Sequence, residues 1–392
     1  MLAAPSQLPH RPDYAGQGIV NLMASVAAAC GGRLPYAPLA AGAASITGDG
    51  PLVLLLLDGL GCEYLAAARP GGALQAHRAG RLTSVFPSTT ATAVTTVLTG
   101  LAPQQHGLTG WHMYFREIDR IAAVLPATLR GDRRPVTELG LGPDALFPYL
   151  TLFERITRPS VAITPRHLAG TVFNVAHTRG AAPRAYENVR GYFEAVAEAA
   201  LASPEAKFIY AYYPGLDSVA HQHGIASRAA AAELAALDDG FAALLERLRG
   251  TGATVIATAD HGFVDAAREE RIELGDHPRL AAMLARPLCG EQRVAYCYVR
   301  PESHADFADY VGDRLAGRVT LLRSADALAA GMFGPGAPHP ELGSRIGDYI
   351  MLMRGRATVK DWLPGEKRYV LTGVHGGLTP EELYVPLVVA RP

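Results

Sequence analysis

The chain has 392 residues, of which 49% are hydrophobic and 19% are charged, a composition typical of a globular protein with a large core. Its 36 basic and 37 acidic side chains nearly balance, so neither a nucleic-acid-binding face nor a polybasic membrane patch is indicated. The length favours about two domains, or one domain with a sizeable insertion.

The cysteines and the N-terminal segment indicate the compartment. Cys30, Cys62, Cys289 and Cys297 form no CxxC pair, which argues against a zinc ribbon and a redox motif. The N-terminus has early prolines and no basic segment before an apolar run, unlike a secretory signal peptide. The apolar run at 53–57 is too short to span a bilayer. We therefore expect free thiols and a cytoplasmic protein without a membrane segment.

Strands and helices alternate along most of the chain. After a lead-in with a helix at 19–29, the apolar run at 51–57 is typical of a strand buried on both faces of a parallel sheet. Further strands are predicted at 81–86, 160–164, 207–213 and 253–260, and further helices at 188–203 and 227–249. This order predicts an α/β fold, a mostly parallel central sheet with helices on both faces.

The pattern changes between residues 266 and 345. Strands at 293–299 and 319–322, with helices at 304–316 and 324–330, predict a small inserted α+β subdomain. A segment rich in Pro and Gly at 331–345 then leads back, and we expect the main sheet to resume at 348–353 and to end at 384–389. The predicted domains are an α/β core over 1–265 and 346–392, and an inserted subdomain over 266–345.

Residues 86–100 read FPSTTATAVTTVLTG, in which Thr89, Thr90, Thr92 and Thr95 lie close together. The apolar spacing predicts a short buried helix that begins near Thr89 and ends at Gly100. A hydroxyl at its N-terminus would face unpaired backbone N–H groups and the positive end of the helix dipole, which suits a nucleophile that attacks phosphate. The same position suits a plain helix cap, and this stretch alone favours the cap.

Carboxylates and histidines follow the predicted strands, at the edge where open α/β sheets bind ligands. They are Asp58, Asp217, His221, Asp260, His261 and, in the glycine-rich GVHGG, His375. Each alone has a structural explanation, such as a helix cap or an Asp–His hydrogen bond. Together they supply three ligands for each of two ions. Mixed Asp and His donors favour zinc, with manganese or iron as alternatives.

Two such ions, about 3.5–4 Å apart, clamp the attacking and leaving oxygens of a displacement at phosphorus. A threonine hydroxyl is a weak nucleophile, and coordination to an ion lowers its pKa. The predicted metals and the threonine-rich helix therefore explain each other.

Five segments resemble the alkaline phosphatase superfamily, and within it the type I phosphodiesterase/nucleotide pyrophosphatase family. In order over residues 51 to 390, they are LLLLDGLG, FPSTTATAVTTVLTGLAPQQHG, YYPGLDSVAHQHG, ATADHGFVD and VHGGLTPEELYVPLVV. The resemblance implies that Thr90, ten residues before Gly100, forms a phospho-threonine intermediate, while Thr89 keeps the capping role. It also implies two metal sites, one formed by Asp217, His221 and His375 and the other by Asp58, Thr90, Asp260 and His261.

One position departs from this family. Many members carry an Asn after the HG of the nucleophile segment, where it binds a phosphate oxygen, and the aligned place in HGLTGWHMY is Trp111. Either Trp111 or His112 would then donate to substrate through its ring N–H, or that contact is absent and Trp111 is a pocket wall or core residue. His106 and His223 are expected to have structural or supporting roles.

The predicted function is a two-metal phosphodiesterase or nucleotide pyrophosphatase acting on a small phosphoester or nucleotide. A phosphonate hydrolase or a phosphomonoesterase stays open, because the same metals and threonine serve those reactions. An inactive metal- or nucleotide-binding relative is a more distant alternative, since all seven positions are kept. A dinucleotide-binding protein is not favoured, because DGLGCEYL lacks the GxGxxG pattern.

Overall fold

A computed structural model describes residues 2–40, 46, 50–202 and 206–392. Its main sheet has seven strands among these residues, five of them parallel and adjacent. Tyr384–Ala390 runs antiparallel to its two neighbours. In spatial order the strands are Arg78–Thr83, Tyr384–Ala390, Thr254–Thr258, Leu52–Leu57, Phe208–Tyr213, Ser160–Pro165 and Ala182–Tyr186. The predicted mostly parallel α/β sheet is confirmed.

The central strand Leu52–Leu57 is buried along its whole length, because it has a strand on each side and helices pack around the sheet. The carboxyl ends of Leu52–Leu57, Phe208–Tyr213 and Thr254–Thr258 share one edge. Helices of the described residues are Ile19–Ala29, Cys62–Ala68, Ala73–Ala76, Thr90–Thr99, Pro103–His106, Pro143–Leu146, Leu152–Arg155, Arg166–Ala169, Val172–His177, Val189–Leu201, Gly215–His223, Arg228–Arg247, Pro278–Met283, His304–Arg314, Ser324–Ala329, Leu342–Arg345 and Pro380–Leu383.

A second sheet, also of seven strands among the described residues, is antiparallel. Two strand pairs complete the architecture: Val264–Asp265 with Gly373–Val374, and Arg271–Glu273 with Thr358–Lys360. The strands of the second sheet are, in spatial order, Val319–Arg323, Tyr349–Met353, Val294–Cys297, Cys289–Gly290, His112–Phe115, Arg120–Ala123 and Thr128–Leu129.

The expectation that the main sheet resumes at 348–353 is wrong. Tyr349–Met353 pairs with Val294–Cys297 and Val319–Arg323 in the second sheet. Its residues are all buried, and a fully apolar strand fits the interior of either sheet, so the pattern alone does not select its partners. The second sheet also takes strands from 112–129, outside 266–345. The proposed domain boundaries stay a prediction.

Several local predictions agree with the structure, with shifted ends. The helix Ile19–Ala29 has the predicted bounds, whereas the strand expected at 81–86 is Arg78–Thr83. The predicted helix at 188–203 ends at a residue that lies outside the described part of the chain. All four cysteines are free and buried. No helix in the described part of the chain combines the length and apolar character needed to cross a bilayer.

Candidate active site

The helix Thr90–Thr99 places the proposed nucleophile at its first residue. Gly100 ends it in the left-handed conformation, with φ of 68°, as glycine readily does. Thr89 occupies the N-cap position, but its side chain makes no capping hydrogen bond. Its hydroxyl instead donates to Glu291 Oε1 over 2.6 Å. The expected capping role of the Thr89 side chain is therefore wrong, because its hydroxyl oxygen accepts no backbone N–H of the helix.

Four of the predicted site residues meet at the edge of the main sheet. Asp58 follows the strand Leu52–Leu57, and Asp260 and His261 follow Thr254–Thr258. His261 Nε2 lies 3.4 Å from Asp58 Oδ1 and 3.4 Å from Asp260 Oδ2. The Thr90 hydroxyl lies 3.1 Å from the same nitrogen. The structure thus brings together the four residues assigned by resemblance to one ion.

The other three lie directly beside them. Asp217 and His221 share a face of the helix Gly215–His223, with Asp217 Oδ1 3.3 Å from His221 Nε2. His375 Nε2 is 3.2 Å from His221 Nε2 and 3.7 Å from Asp217 Oδ1. Gly373 allows the segment before His375 to lie close to the helix Gly215–His223, because a Cβ at Gly373 would lie 2.4 Å from the Ala220 carbonyl oxygen.

The two sets form one continuous cluster of donors. The rings of His261 and His375 stack with centroids 3.7 Å apart. Donor atoms within 4.8 Å of one another make two groups, Asp58 with Asp260 and His261, and Asp217 with His261 and His375. His261 belongs to both groups, so the distances do not by themselves repeat the division that the resemblance implies.

Backbone carbonyls orient two of the imidazoles. His221 Nδ1 lies 2.9 Å from the Gly373 carbonyl oxygen, and His261 Nδ1 lies 3.1 Å from that of Gly262. These contacts favour the tautomer with the proton on Nδ1, which leaves the Nε2 lone pair directed at the cluster. Such an arrangement is typical of metal-ligating histidines.

Several polar atoms of the cluster fit a cation. In the described residues, Asp58 Oδ1, Asp217 Oδ1, Asp260 Oδ2 and His375 Nδ1 are buried without a hydrogen-bond partner. Burial and the neighbouring charges of Asp260 and Asp217 raise the pKa of Asp58 well above its ordinary value. Burial likewise raises the pKa of Asp217 and lowers that of His375. Crowded carboxylates and neutral imidazoles are the donors that divalent ions require.

A cavity of about 1240 Å³ extends from the cluster. Its lining includes Thr90 and Asp217 of the cluster, and also Trp111, Glu291 and Lys360. Trp111 is 38% exposed and donates its backbone N–H to Glu291 Oε1 over 2.8 Å. It is therefore not a core residue. The contacts of Trp111 and His112 with substrate stay a prediction, although both line this cavity.

Burial, with the charges of Arg130 and Lys360, lowers the pKa of His112 well below its ordinary value, which favours the neutral form of its ring. His106 is fully buried, with Nε2 3.2 Å from the Thr96 hydroxyl, and it supports the nucleophile helix from within. His223 is exposed at the end of its helix.

Three site residues have no signal in the sequence analysis. The Tyr212 hydroxyl donates to Asp58 Oδ2. Glu291 joins Thr89 to Trp111, and Lys360 lines the cavity. Tyr212 lies near the carboxyl end of the strand Phe208–Tyr213, two positions before the PGLD turn. Glu291 and Lys360 reach the site only through sheet pairing.

The architecture is that of the alkaline phosphatase superfamily of hydrolases. Within it, the family model described as type I phosphodiesterase / nucleotide pyrophosphatase matches residues 52–378. Because the match covers most of the chain, the chain belongs to this family. It is accordingly a phosphoric ester hydrolase, of a family that depends on metal ions.

Solved structures of similar proteins share the fold. Murine ectonucleotide pyrophosphatase / phosphodiesterase 5 is 16% identical, with a TM-score of 0.62 over 87% of this chain and 88% of that chain. Phosphonoacetate hydrolase from Sinorhizobium meliloti 1021, in complex with phosphonoacetate, is 17% identical, with a TM-score of 0.64 over 88% of this chain and 90% of that chain. Comparison with curated protein sequences finds no match.

Proposed function

We propose that the chain is a two-metal phosphodiesterase or nucleotide pyrophosphatase that cleaves phosphodiester or phosphoanhydride bonds through a covalent phospho-threonine on Thr90. The observation that carries the proposal is the position of the Thr90 hydroxyl, 3.1 Å from His261 Nε2 at the N-terminus of a buried helix. A murine structure of the same family is described as an inactive variant, with threonine changed to alanine, in complex with AMP. That relative supports both the threonine and a nucleotide substrate.

The residues present fit two divalent ions, most simply zinc, with manganese or iron as alternatives. Asp217, His221 and His375 would hold one ion, and Asp58, Asp260, His261 and Thr90 the other. The chemistry supplied by bound ions is Lewis-acid activation of the attacking hydroxyl and of the phosphoryl group.

The remaining steps belong to the chain. The Thr90 oxygen attacks phosphorus as the bond from phosphorus to the ester or anhydride oxygen breaks, and that oxygen leaves as the alcohol or acid with the proton that Thr90 gives up. Water then attacks phosphorus and breaks its bond to Thr90, which regains a proton from that water. Each displacement inverts the phosphorus, so the overall reaction retains its configuration. The positive end of the helix Thr90–Thr99 favours the negative charge on the phosphoryl oxygens.

The second candidate function is that of a phosphonate hydrolase or a phosphomonoesterase of the same superfamily. Similarity to phosphonoacetate hydrolase and Trp111 at the place of the expected Asn both favour keeping it. The cleavage of a phosphonate would use the same nucleophile and ions, so substrate selectivity separates the candidates. A cytoplasmic location stays a prediction.

Turnover of a phosphodiester, a dinucleoside pyrophosphate, a phosphomonoester and phosphonoacetate, with and without chelator, tests the proposal. Thr90→Ala should abolish turnover of the preferred substrate, whereas Thr95→Ala in the same buried helix is the matched control. Intact turnover in Thr90→Ala would rule out the covalent mechanism. Metal analysis that finds no bound ion, together with no turnover, would favour an inactive relative.

A further inference from the structure

Lys360 ends the short strand Thr358–Lys360 and is 8% exposed. Its ammonium lies 3.0 Å from the Tyr369 hydroxyl, 4.5 Å from the centre of the Tyr369 ring and 4.8 Å from that of Trp362. Across the described residues, no carboxylate lies within 4.0 Å of this ammonium. The charge of Lys360 is therefore held among aromatic groups without an ion-pair partner.

The other buried cations of the described chain are paired. Arg130 contacts two carboxylates, 2.7 Å from Asp361 Oδ1 and 3.1 Å from Glu366 Oε2. The buried guanidinium groups of Arg293 and Arg345 contact Glu382 over 2.8 Å and Glu117 over 3.3 Å. Lys360 thus departs from the pattern that the rest of the chain follows, and that pattern reflects the cost of a buried charge.

The aromatic rings offset this cost only in part. A cation over an aromatic face gains about 0.5–2 kcal/mol, and removing an ammonium from water costs several kcal/mol. The ammonium has three N–H donors, of which the Tyr369 hydroxyl accepts one. The remaining donors are available to a ligand with negative charge.

The cavity connects Lys360 with the proposed nucleophile. Lys360, His112 and Tyr369 line the same space as Thr90 and the metal-binding cluster. His112 also lines the cavity. The neutral form of its ring carries an N–H group that a ligand can accept from, and it adds no charge. The charge of Lys360 acts to lower the pKa of Glu291 and of Glu366, but both carboxylates lie beyond ion-pair distance from its ammonium.

We propose that Lys360 forms a subsite for a second anionic group of the substrate, a carboxylate or a phosphate other than the one transferred to Thr90. This inference rests on the proposed function and narrows its substrate class. The preferred substrate then carries negative charge on both sides of the scissile bond, as in a phosphoanhydride or a phosphonocarboxylate. A diester with two neutral substituents leaves Lys360 without a partner.

The test compares Lys360→Met and Lys360→Arg with a control, Lys207→Met. Lys207 precedes the strand Phe208–Tyr213, at the end of that strand away from the proposed active site. Substrates are a dinucleoside pyrophosphate, phosphonoacetate and bis(4-nitrophenyl) phosphate, which lacks a second anion. A charge-assisted hydrogen bond corresponds to a change of about 10- to 100-fold. We expect the kcat/KM ratio of the preferred anionic substrate to the neutral-arm diester to fall by that factor in Lys360→Met, and to fall less in Lys360→Arg.

The anionic substrate whose ratio falls identifies the group as phosphate or carboxylate. An unchanged kcat/KM ratio in Lys360→Met, whether all substrates lose activity equally or none does, would overturn the proposed subsite. Titration calorimetry of pyrophosphate and phosphonoacetate supplies a readout without turnover, with binding expected to weaken about 10- to 100-fold in Lys360→Met. If the wild-type chain cleaves no substrate and this binding still depends on Lys360, the proposed function fails and the anion subsite stands. Should Lys360→Met not fold, Lys360→Gln replaces it.

Discussion

Arg293 and Glu382 form a bidentate ion pair in which both side chains are fully buried, with Nε to Oε1 of 2.9 Å and Nη2 to Oε2 of 2.8 Å. Glu382 Oε1 also accepts the Gly377 N–H over 2.8 Å. The backbone carbonyl of Glu382 accepts the Gly262 N–H over 2.9 Å. One residue therefore ties the second sheet to the two loops that carry His375 and His261.

Replacing Glu382 with Ala should destabilise the fold strongly, because it leaves Arg293 as an unpaired buried charge. Breaking a buried pair costs about 3–5 kcal/mol, measurable as the free energy of unfolding by chemical denaturation. Glu194→Ala removes an exposed i,i+4 partner of Arg190 and is the control, with little expected change. A small effect of Glu382→Ala would show that water or another group satisfies Arg293.

Removing metal should destabilise the protein and stop turnover together. A ligand that binds only the folded state raises the free energy of unfolding by about 4 kcal/mol when its free concentration is a thousandfold above Kd. Chelator should therefore lower Tm, and added zinc should restore both Tm and turnover. His375→Ala should lose one of two ions, while the exposed His223→Ala keeps both, by metal analysis. Unchanged Tm and turnover in excess chelator would contradict a metal-dependent site.

Glu291 is expected to position the nucleophile helix and the loop of Trp111. Glu291→Ala releases the Thr89 hydroxyl and the Trp111 N–H from their common acceptor, and we expect kcat/KM to fall roughly 10- to 100-fold, as for the loss of two buried hydrogen bonds. Glu291→Gln keeps an acceptor oxygen and should restore much of the rate. Equal rates in the Ala and Gln variants would exclude this role.

The same carboxyl predicts a pH dependence of stability. Burial raises the pKa of Glu291 from 4.5 to about 7, against the hydrogen bonds from Thr89 and Trp111. The pKa of Glu291 is higher in the folded state than in the unfolded state. Its stabilising contribution to the free energy of unfolding is therefore fully present below 4.5 and is lost as pH rises through about 7. The difference in free energy of unfolding between wild type and Glu291→Gln should therefore vary across this window. A constant difference would mean that the carboxyl stays charged in the folded protein.

The sequence alone determined the main parts of the site. The run Leu52–Leu57 is apolar throughout, which is typical of a central buried strand, and the residue after such a strand lies at the binding edge of the sheet. The same rule located Asp260 and Asp217, and the four-residue spacing in the helix placed His221 beside Asp217. These are local patterns, each read within a few residues of the chain.

The tertiary structure decided the partners. Tyr349–Met353 is apolar enough for either sheet, and only its pairing assigns it to the second one. Thr89 bonds Glu291, which is 202 residues away in sequence, instead of capping its own helix. Lys360 reaches the cavity through a parallel pairing with Arg271–Glu273. Contacts between distant segments depend on how whole sheets pack, and no local periodicity encodes that choice.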